Sequence, residues 1–227
     1  MRNKKTILIT GTSKGIGFEM VKIAASQGHK VIAISRDITR LKSVIGVDSY
    51  SVDITNDIFI ESFIKKLSQK QVKLDILINN AGSLVNQSFE ETSSETFKYI
   101  YSVNVFGVAS LIRLSLPIIN KNGHVLNISS MGGVQGSSKF AGLSAYSSSK
   151  GALITLTELL AEEYNKTGPS FNVLALGSVQ TEMLDKAFPG YRASVSAKKM
   201  ASYILEFSIS GHKLYNGKLL PISLSTP

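Results

Sequence analysis

Seven short runs, most of them rich in Ile, Leu and Val, separated by stretches of helical period, limit the folds open to this chain more than any other feature. The runs cover residues 6–10, 30–35, 49–52, 74–79, 124–129, 170–176 and 218–223. Helical patterns lie between them at 15–27, 38–44, 57–69, 94–119, 145–165 and 196–208. Near-continuous apolar strands are buried on both faces, and helices between successive strands give parallel crossovers. The expected fold is α/β, a doubly wound parallel sheet of seven strands with helices on both faces. No internal repeat or linker divides the chain, so one domain over residues 1–227 is expected.

Composition removes several functions. The chain has no cysteine, which excludes disulfides, thiolate metal sites and cysteine nucleophiles. Its three histidines, His29, His124 and His212, are too widely spaced for a ligand pattern, so no metal is expected. The net charge of +9 invites a nucleic-acid reading, but the lysines are scattered and not interleaved with aromatics. A basic surface suits an anionic cofactor equally well. No signal peptide and no apolar run near the roughly 18–20 residues of a membrane span is evident. A cytoplasmic protein with no nucleic-acid or membrane partner is expected.

Gly11, Gly15 and Gly17 fall between the first strand and the first helix, in Thr10-Gly11-Thr12-Ser13-Lys14-Gly15-Ile16-Gly17. Glycines there permit a tight turn and let a pyrophosphate reach the helix N-terminal amides. The spacing is not that of a P-loop, because no Lys-Ser or Lys-Thr pair closes it. A strand-to-helix turn without ligand is the alternative.

Tyr146 and Lys150 are four residues apart on a predicted helix and so share a face. An ammonium beside a phenol favours the phenolate, which moves the group towards acid/base work. An ordinary helix start with a solvated lysine would read the same way. The preceding segment 129–149 is rich in glycine and serine and joins a strand to this helix, a place where loops carry function.

Taken in order, these motifs resemble the short-chain dehydrogenase/reductase family, with its Thr-Gly-x-x-x-Gly-x-Gly loop, Asn-Asn-Ala-Gly element and Tyr-x-x-x-Lys pair. The resemblance covers nearly the whole chain and implies a Rossmann-type enzyme using a nicotinamide cofactor. It implies cofactor contacts from Gly11, Ser13, Lys14, Gly15, Ile16 and Gly17 in the loop, and from Asp53 and Ile54 at the end of the third strand. Asn80, Ala81 and Gly82 follow the fourth strand, and Val179 and Thr181 follow the sixth. The implied catalytic set is Asn104, Ser130, Tyr146 and Lys150, with Ser130 preferred over its neighbour Ser129. In that scheme Tyr146 protonates a carbonyl oxygen, Ser130 holds that oxygen, Lys150 lowers the tyrosine pKa and bonds the cofactor ribose, and Asn104 anchors a water.

The second strand ends Ser35-Arg36, where NAD-binding relatives place an acid on the ribose hydroxyls. Arg36 and Lys14 suit a 2′-phosphate instead, so NADP(H) is expected. Asp37 is read as a cap for the next helix. Leu176 replaces the proline usual in the family before Gly177. Met183, Leu184, Phe188 and Tyr191 form either a small apolar lid or a packed helix face. Gly132, Gly133, Gly136 and Phe140 are expected to shape the substrate mouth. The expected activity is NADPH-dependent reduction of a ketone or aldehyde, a small carbonyl or a 3-oxoacyl compound. Alcohol oxidation and a silent cofactor-binding regulator are the alternatives. A homodimer on the fourth and fifth helices is expected, with a homotetramer as the other arrangement.

Overall fold

The computed structural model describes residues 4–224, so the ends of the expected domain, 1–3 and 225–227, lie outside the described residues. Seven parallel strands form one sheet in the order β3-β2-β1-β4-β5-β6-β7. They are β1 (Thr6–Thr10), β2 (Lys30–Ser35), β3 (Val47–Ser51), β4 (Leu74–Asn79), β5 (Ile119–Ser130), β6 (Ser170–Leu176) and β7 (Lys218–Ile222). The helices between them are α1 (Gly15–Ser26), α2 (Asp57–Gln69), α3 (Ser94–Tyr101), α4 (Gly107–Ser115), α5 (Ser144–Glu163), α6 (Glu182–Ala187) and α7 (Ala197–Ser210). The doubly wound architecture is the one that the apolar runs imply.

Two apolar layers hold the sheet, and β1 shows how one strand serves both. Leu8 points into a core with Ile60 and Phe63 of α2, Leu111 and Ile112 of α4, and Leu153 of α5. Ile7 and Ile9 point the other way, onto Met20, Val21 and Ala24 of α1 and Ile204 and Leu205 of α7. A strand buried on both faces needs no polar alternation, which is why these segments read as continuous apolar runs. A polar chain crosses the first core: Asn79 donates to Asn127 at 2.8 Å, and Asn127 donates to Thr157 at 2.9 Å.

Several boundaries differ from expectation, each for a local reason. β3 ends at Ser51, so Asp53 lies two residues beyond the strand it was expected to close. β5 begins at Ile119 because Leu74 pairs with Ile119 and Ile76 with His124; the extra residues bulge out, and Asn120 donates to Asp75 at 3.1 Å. Residues 38–44 form only a 3₁₀ turn, Thr39–Ser43, with Leu41 its one buried residue. Asp37 accepts from the Thr39 amide at 2.8 Å at the start of that turn.

The long helical run is broken by a π turn at Ser102–Phe106 between α3 and α4. Gly107 ends the π turn against the Ile54 carbonyl, where a Cβ would collide. This close approach fixes the shift in the helix, and π turns concentrate at functional positions. By length and composition alone, Ser94–Ile118 passes as a membrane span, contrary to the sequence expectation; half of its apolar window is buried inside the fold, where α4 packs against α2.

Candidate active site

The strand order reverses between β1 and β4, and ligands of doubly wound sheets bind at the carboxyl ends of strands beside such a switch. A cavity of about 870 Å³ opens there. Its lining includes Gly11, Ser13, Lys14, Gly15, Ile16, Gly17, Arg36, Asp53, Ile54, Asn80, Ala81, Gly82, Ser130, Tyr146, Lys150, Val179 and Thr181. The structure thus brings together every predicted site residue except Asn104, which is fully buried behind the cleft wall.

The glycine loop is shaped for close approach. Gly11 has φ +69°, and a Cβ on it would strike the backbone of Ala81. A Cβ on Gly17 would strike the Gly11 carbonyl and the Asn80 carboxamide. Asn80 donates to the carbonyls of Thr10 and Gly11 at 3.0 and 3.1 Å, and Thr10 Oγ1 accepts from the Asn80 and Ala81 amides. Thr12, which sequence reasoning passed over, anchors the loop to the Ile34 carbonyl at 3.1 Å. No side chain caps α1, and its first turn carries no acid. Its amides face the cleft as donors for an anion, so these residues fit the pyrophosphate of a dinucleotide.

Beyond β2 the rim is basic. Arg36 donates to the Tyr99 hydroxyl at 3.1 Å. Arg40, a cation the sequence reading did not single out, also lines the cavity. Its guanidinium sits 4.5 Å over the Phe18 ring and 3.7 Å from Glu182. Its spacing of four from Arg36 was the available signal. Asp37 shares this rim; its hydrogen bonds from Thr39, the backbone amide first, hold its carboxyl below the usual range.

Tyr146 and Lys150 stand in the first two turns of α5, beside the end of β5. Burial pushes the Tyr146 phenol up, and a hydrogen bond with Ser130 partly offsets that. Burial also pulls Lys150 down, to about 8. The ammonium lies 5.9 Å from the Tyr146 ring centre and donates to the Ile128 carbonyl at 2.8 Å. The expected lowering of the tyrosine by lysine is therefore not the balance found: burial of the phenol outweighs an ammonium committed to a backbone carbonyl.

The two adjacent serines differ sharply. Ser129 is buried and donates to the Lys150 carbonyl at 2.9 Å, which ties α5 to β5. Ser130 lies half-buried in the cavity lining, and its oxygen accepts from the Gly132 amide at 3.3 Å. Asn104 accepts from the Ser83 amide at 2.8 Å and donates to the Ser83 carbonyl and the Ser149 hydroxyl, each at 2.9 Å. Its side chain is thus a tie between segments. Ser149 was missed; its one signal was its place beside Lys150.

The comparisons with known proteins agree with this geometry. The model of the short chain dehydrogenase family matches residues 5–192. This chain belongs to the short-chain dehydrogenase family. It is 30% identical over 192 residues to the 3-oxoacyl-[acyl-carrier-protein] reductase FabG of Thermotoga maritima, covering 80% of this chain and 77% of that one. It is 32% identical over 194 residues to the NADPH-dependent pterin aldehyde reductase of Arabidopsis thaliana, covering 81% and 78%. Among solved structures, the 3-ketoacyl-(acyl-carrier-protein) reductase of Brucella melitensis complexed with NADH superposes with a TM-score of 0.86 at 26% identity, over 96% of each chain. ElxO with NADP bound superposes at 0.83 and 27% identity, over 97% of this chain and 98% of that one. The family fixes the broad chemistry: an oxidoreductase that acts on small molecules with a nicotinamide nucleotide.

The remaining segments shape the mouth. α6 buries none of its residues; Met183, Leu184, Phe188 and Tyr191 line the cavity, the lid arrangement of the two left open by the sequence. Phe140 and Gly132 line it too, whereas Gly133 lies against the backbone of α5, and Gly136 has φ +79° in an exposed turn. Leu176, in place of a proline, pairs with Ile222 of β7.

Proposed function

We propose that this chain reduces a ketone or aldehyde to the alcohol with NADPH. The observation that carries the reading is the placement of Tyr146, Ser130 and Lys150 together in the cleft lining, with the Lys150 ammonium 5.9 Å from the tyrosine ring centre and the phenol protonated at neutral pH. A protonated phenol is the state that reduction needs, because the carbonyl oxygen must gain a proton. When bound, NADPH supplies the hydride to the carbonyl carbon. Tyr146 gives its proton to the oxygen, and Ser130 donates to that oxygen as negative charge develops. Lys150, poised near pH 8, would hold the cofactor ribose and favour the tyrosinate left behind.

NADPH over NADH rests on Lys14, Arg36 and Arg40. β2 and β5 are separated by β1 and β4, so the basic rim and Tyr146 sit about 14 Å apart at ordinary strand spacing. A dinucleotide laid across these strand ends would have its 2′-phosphate held by Lys14, Arg36 and Arg40. Exposed Phe106 beside α4 and Leu159 on α5 support a homodimer on those helices.

The test is Tyr146→Phe against wild type, with NADPH oxidation followed over a panel of ketones and aldehydes. Turnover is expected to fall by about 10³-fold, the scale of a lost general acid, with NADPH binding intact. Retained turnover in the variant sinks the assignment. A wild type that binds NADPH but oxidises it with no carbonyl points instead to a regulator.

A further inference from the structure

Resting on the reductase reading above, we infer that the substrate is an uncharged, largely apolar carbonyl compound, an aryl or alkyl aldehyde or ketone, and neither a carboxylate-bearing nor a polyhydroxylated one. The charges lining the cavity are divided unequally. Lys14, Arg36, Asp37, Arg40, Asp53 and Glu182 all belong to the cofactor half, where Arg40 and Glu182 lie 3.7 Å apart. Around Tyr146 and Ser130 the only charged lining group among the described residues is Lys150, already bonded to the Ile128 carbonyl.

The walls there are Leu84, Phe140, Leu143, Met183, Phe188 and Tyr191. Phe140 is 58% exposed and Tyr191 50%, so a ligand seated against Tyr146 would cover apolar rings that now face the cleft. These walls come from three segments held as one frame. Asn86 donates to the Ala187 carbonyl at 2.8 Å, and the Gln87 amide donates to the Gly142 carbonyl at 2.9 Å.

Two charged groups just outside the frame are already bonded. Lys139 bonds the Val134 carbonyl and the Ser137 hydroxyl. Asp185 accepts from Gln180 at 2.6 Å and lies 3.8 Å from Arg192. A substrate carboxylate seated against Tyr146 would lose its water and meet, in the lining there, only an ammonium already bonded to a backbone carbonyl. A polyol would fare little better. Of the other hydroxyls in the lining near this end, Ser178 and Tyr191 bond each other at 3.0 Å, and Ser129 is committed to the Lys150 carbonyl at 2.9 Å.

The experiment compares benzaldehyde, its para-carboxylate and an aldose as substrates of the full chain with NADPH. The expected kcat/KM for benzaldehyde exceeds that of the carboxylate on the order of 100-fold, the cost of an unpaired buried charge. In Met183→Lys the ratio is expected to narrow by roughly tenfold, because the new ammonium meets the carboxylate. A wild-type preference for the carboxylate or the aldose overturns the inference, and so does an unchanged ratio in Met183→Lys. If no compound oxidises NADPH, the reductase reading fails on its own. Titration calorimetry of the same compounds onto the NADPH complex of Tyr146→Phe then decides the pocket. Tighter binding of the uncharged aldehyde supports the inference; equal binding, or none, overturns it.

Discussion

The Asn104 carboxamide donates to the Ser149 hydroxyl at 2.9 Å, and that hydroxyl donates in turn to the Tyr146 carbonyl at 2.7 Å. Both side chains are fully buried. The π turn is thereby fastened to the first turn of α5, which carries the tyrosine, and through Ser83 to the loop after β4. Such a tie acts on reaction geometry without touching substrate.

Ser149→Ala removes the link and leaves the Asn104 amide with the Ser83 carbonyl but short of its second acceptor, at a cost of about 1–3 kcal/mol in stability. A displaced Tyr146 is expected to lower kcat by roughly tenfold to 100-fold while the KM for NADPH stays within about threefold. Steady-state kinetics and thermal melts check this. Equal losses in kcat and cofactor affinity would mean that the variant disturbs the whole cleft.

Lys150 is 4% exposed and yet cationic below about pH 8. Its folded value lies under the ordinary 10.5, so between pH 8 and 10.5 the unfolded chain holds a proton that the folded chain has lost. Stability contributed by this group therefore rises with pH across that window, by up to about 3 kcal/mol. Lys150→Met is expected to melt at or above the wild-type temperature at pH 7 while losing turnover, a site kept at the expense of stability. In wild type, kcat/KM for reduction is expected to fall as pH rises through about 8, when the ammonium is lost. A melting temperature well below wild type for Lys150→Met contradicts the buried-charge argument.

Arg36 and Arg40 separate two ways of holding a 2′-phosphate. Arg36→Ala is expected to weaken NADPH binding by roughly 10- to 100-fold and to leave NADH nearly unchanged, the loss of one charge-assisted contact. Arg40→Ala is expected to act in the same direction and also to free Glu182, its partner at 3.7 Å. Fluorescence titration of the two reduced cofactors measures both effects. Equal losses for NADPH and NADH would assign these cations to the pyrophosphate.

The fold was legible because a buried strand carries its environment in its side chains: Ile7, Leu8 and Ile9 need apolar neighbours on both faces, and helices between strands supply them. The site was legible where spacing maps onto one element, as for Tyr146 and Lys150 on α5 or the three glycines before α1. Legibility failed where tertiary contact decides. Nothing local says that Gly107 will lie against the Ile54 carbonyl and shift the helix into a π turn. Nothing local says that Asn104 will spend its carboxamide on Ser83 and Ser149. The tyrosine pKa failed for the same reason, since helical spacing gives the distance to Lys150 but not the burial that outweighs it.

His124 supplies a separate test, of the fold itself. Asn172 Oδ1 accepts from the Lys218 amide at 3.1 Å, so its Nδ2 is the donor to both the Tyr215 carbonyl and His124 Nε2. The imidazole must then carry its proton on Nδ1, donating to the Ser208 carbonyl at 2.9 Å. Burial holds the ring neutral, with a pKa near 4 against an ordinary 6.5. Between these values the unfolded chain binds a proton that the folded chain refuses, so this contribution is complete above pH 6.5 and is lost as pH falls to 4. The loss amounts to about 3 kcal/mol, enough to lower the melting temperature by several degrees. His124→Gln retains polar atoms but no titration, so its stability should change less between pH 6.5 and 4 than that of wild type. Parallel pH dependences for the two proteins would remove His124 as the source.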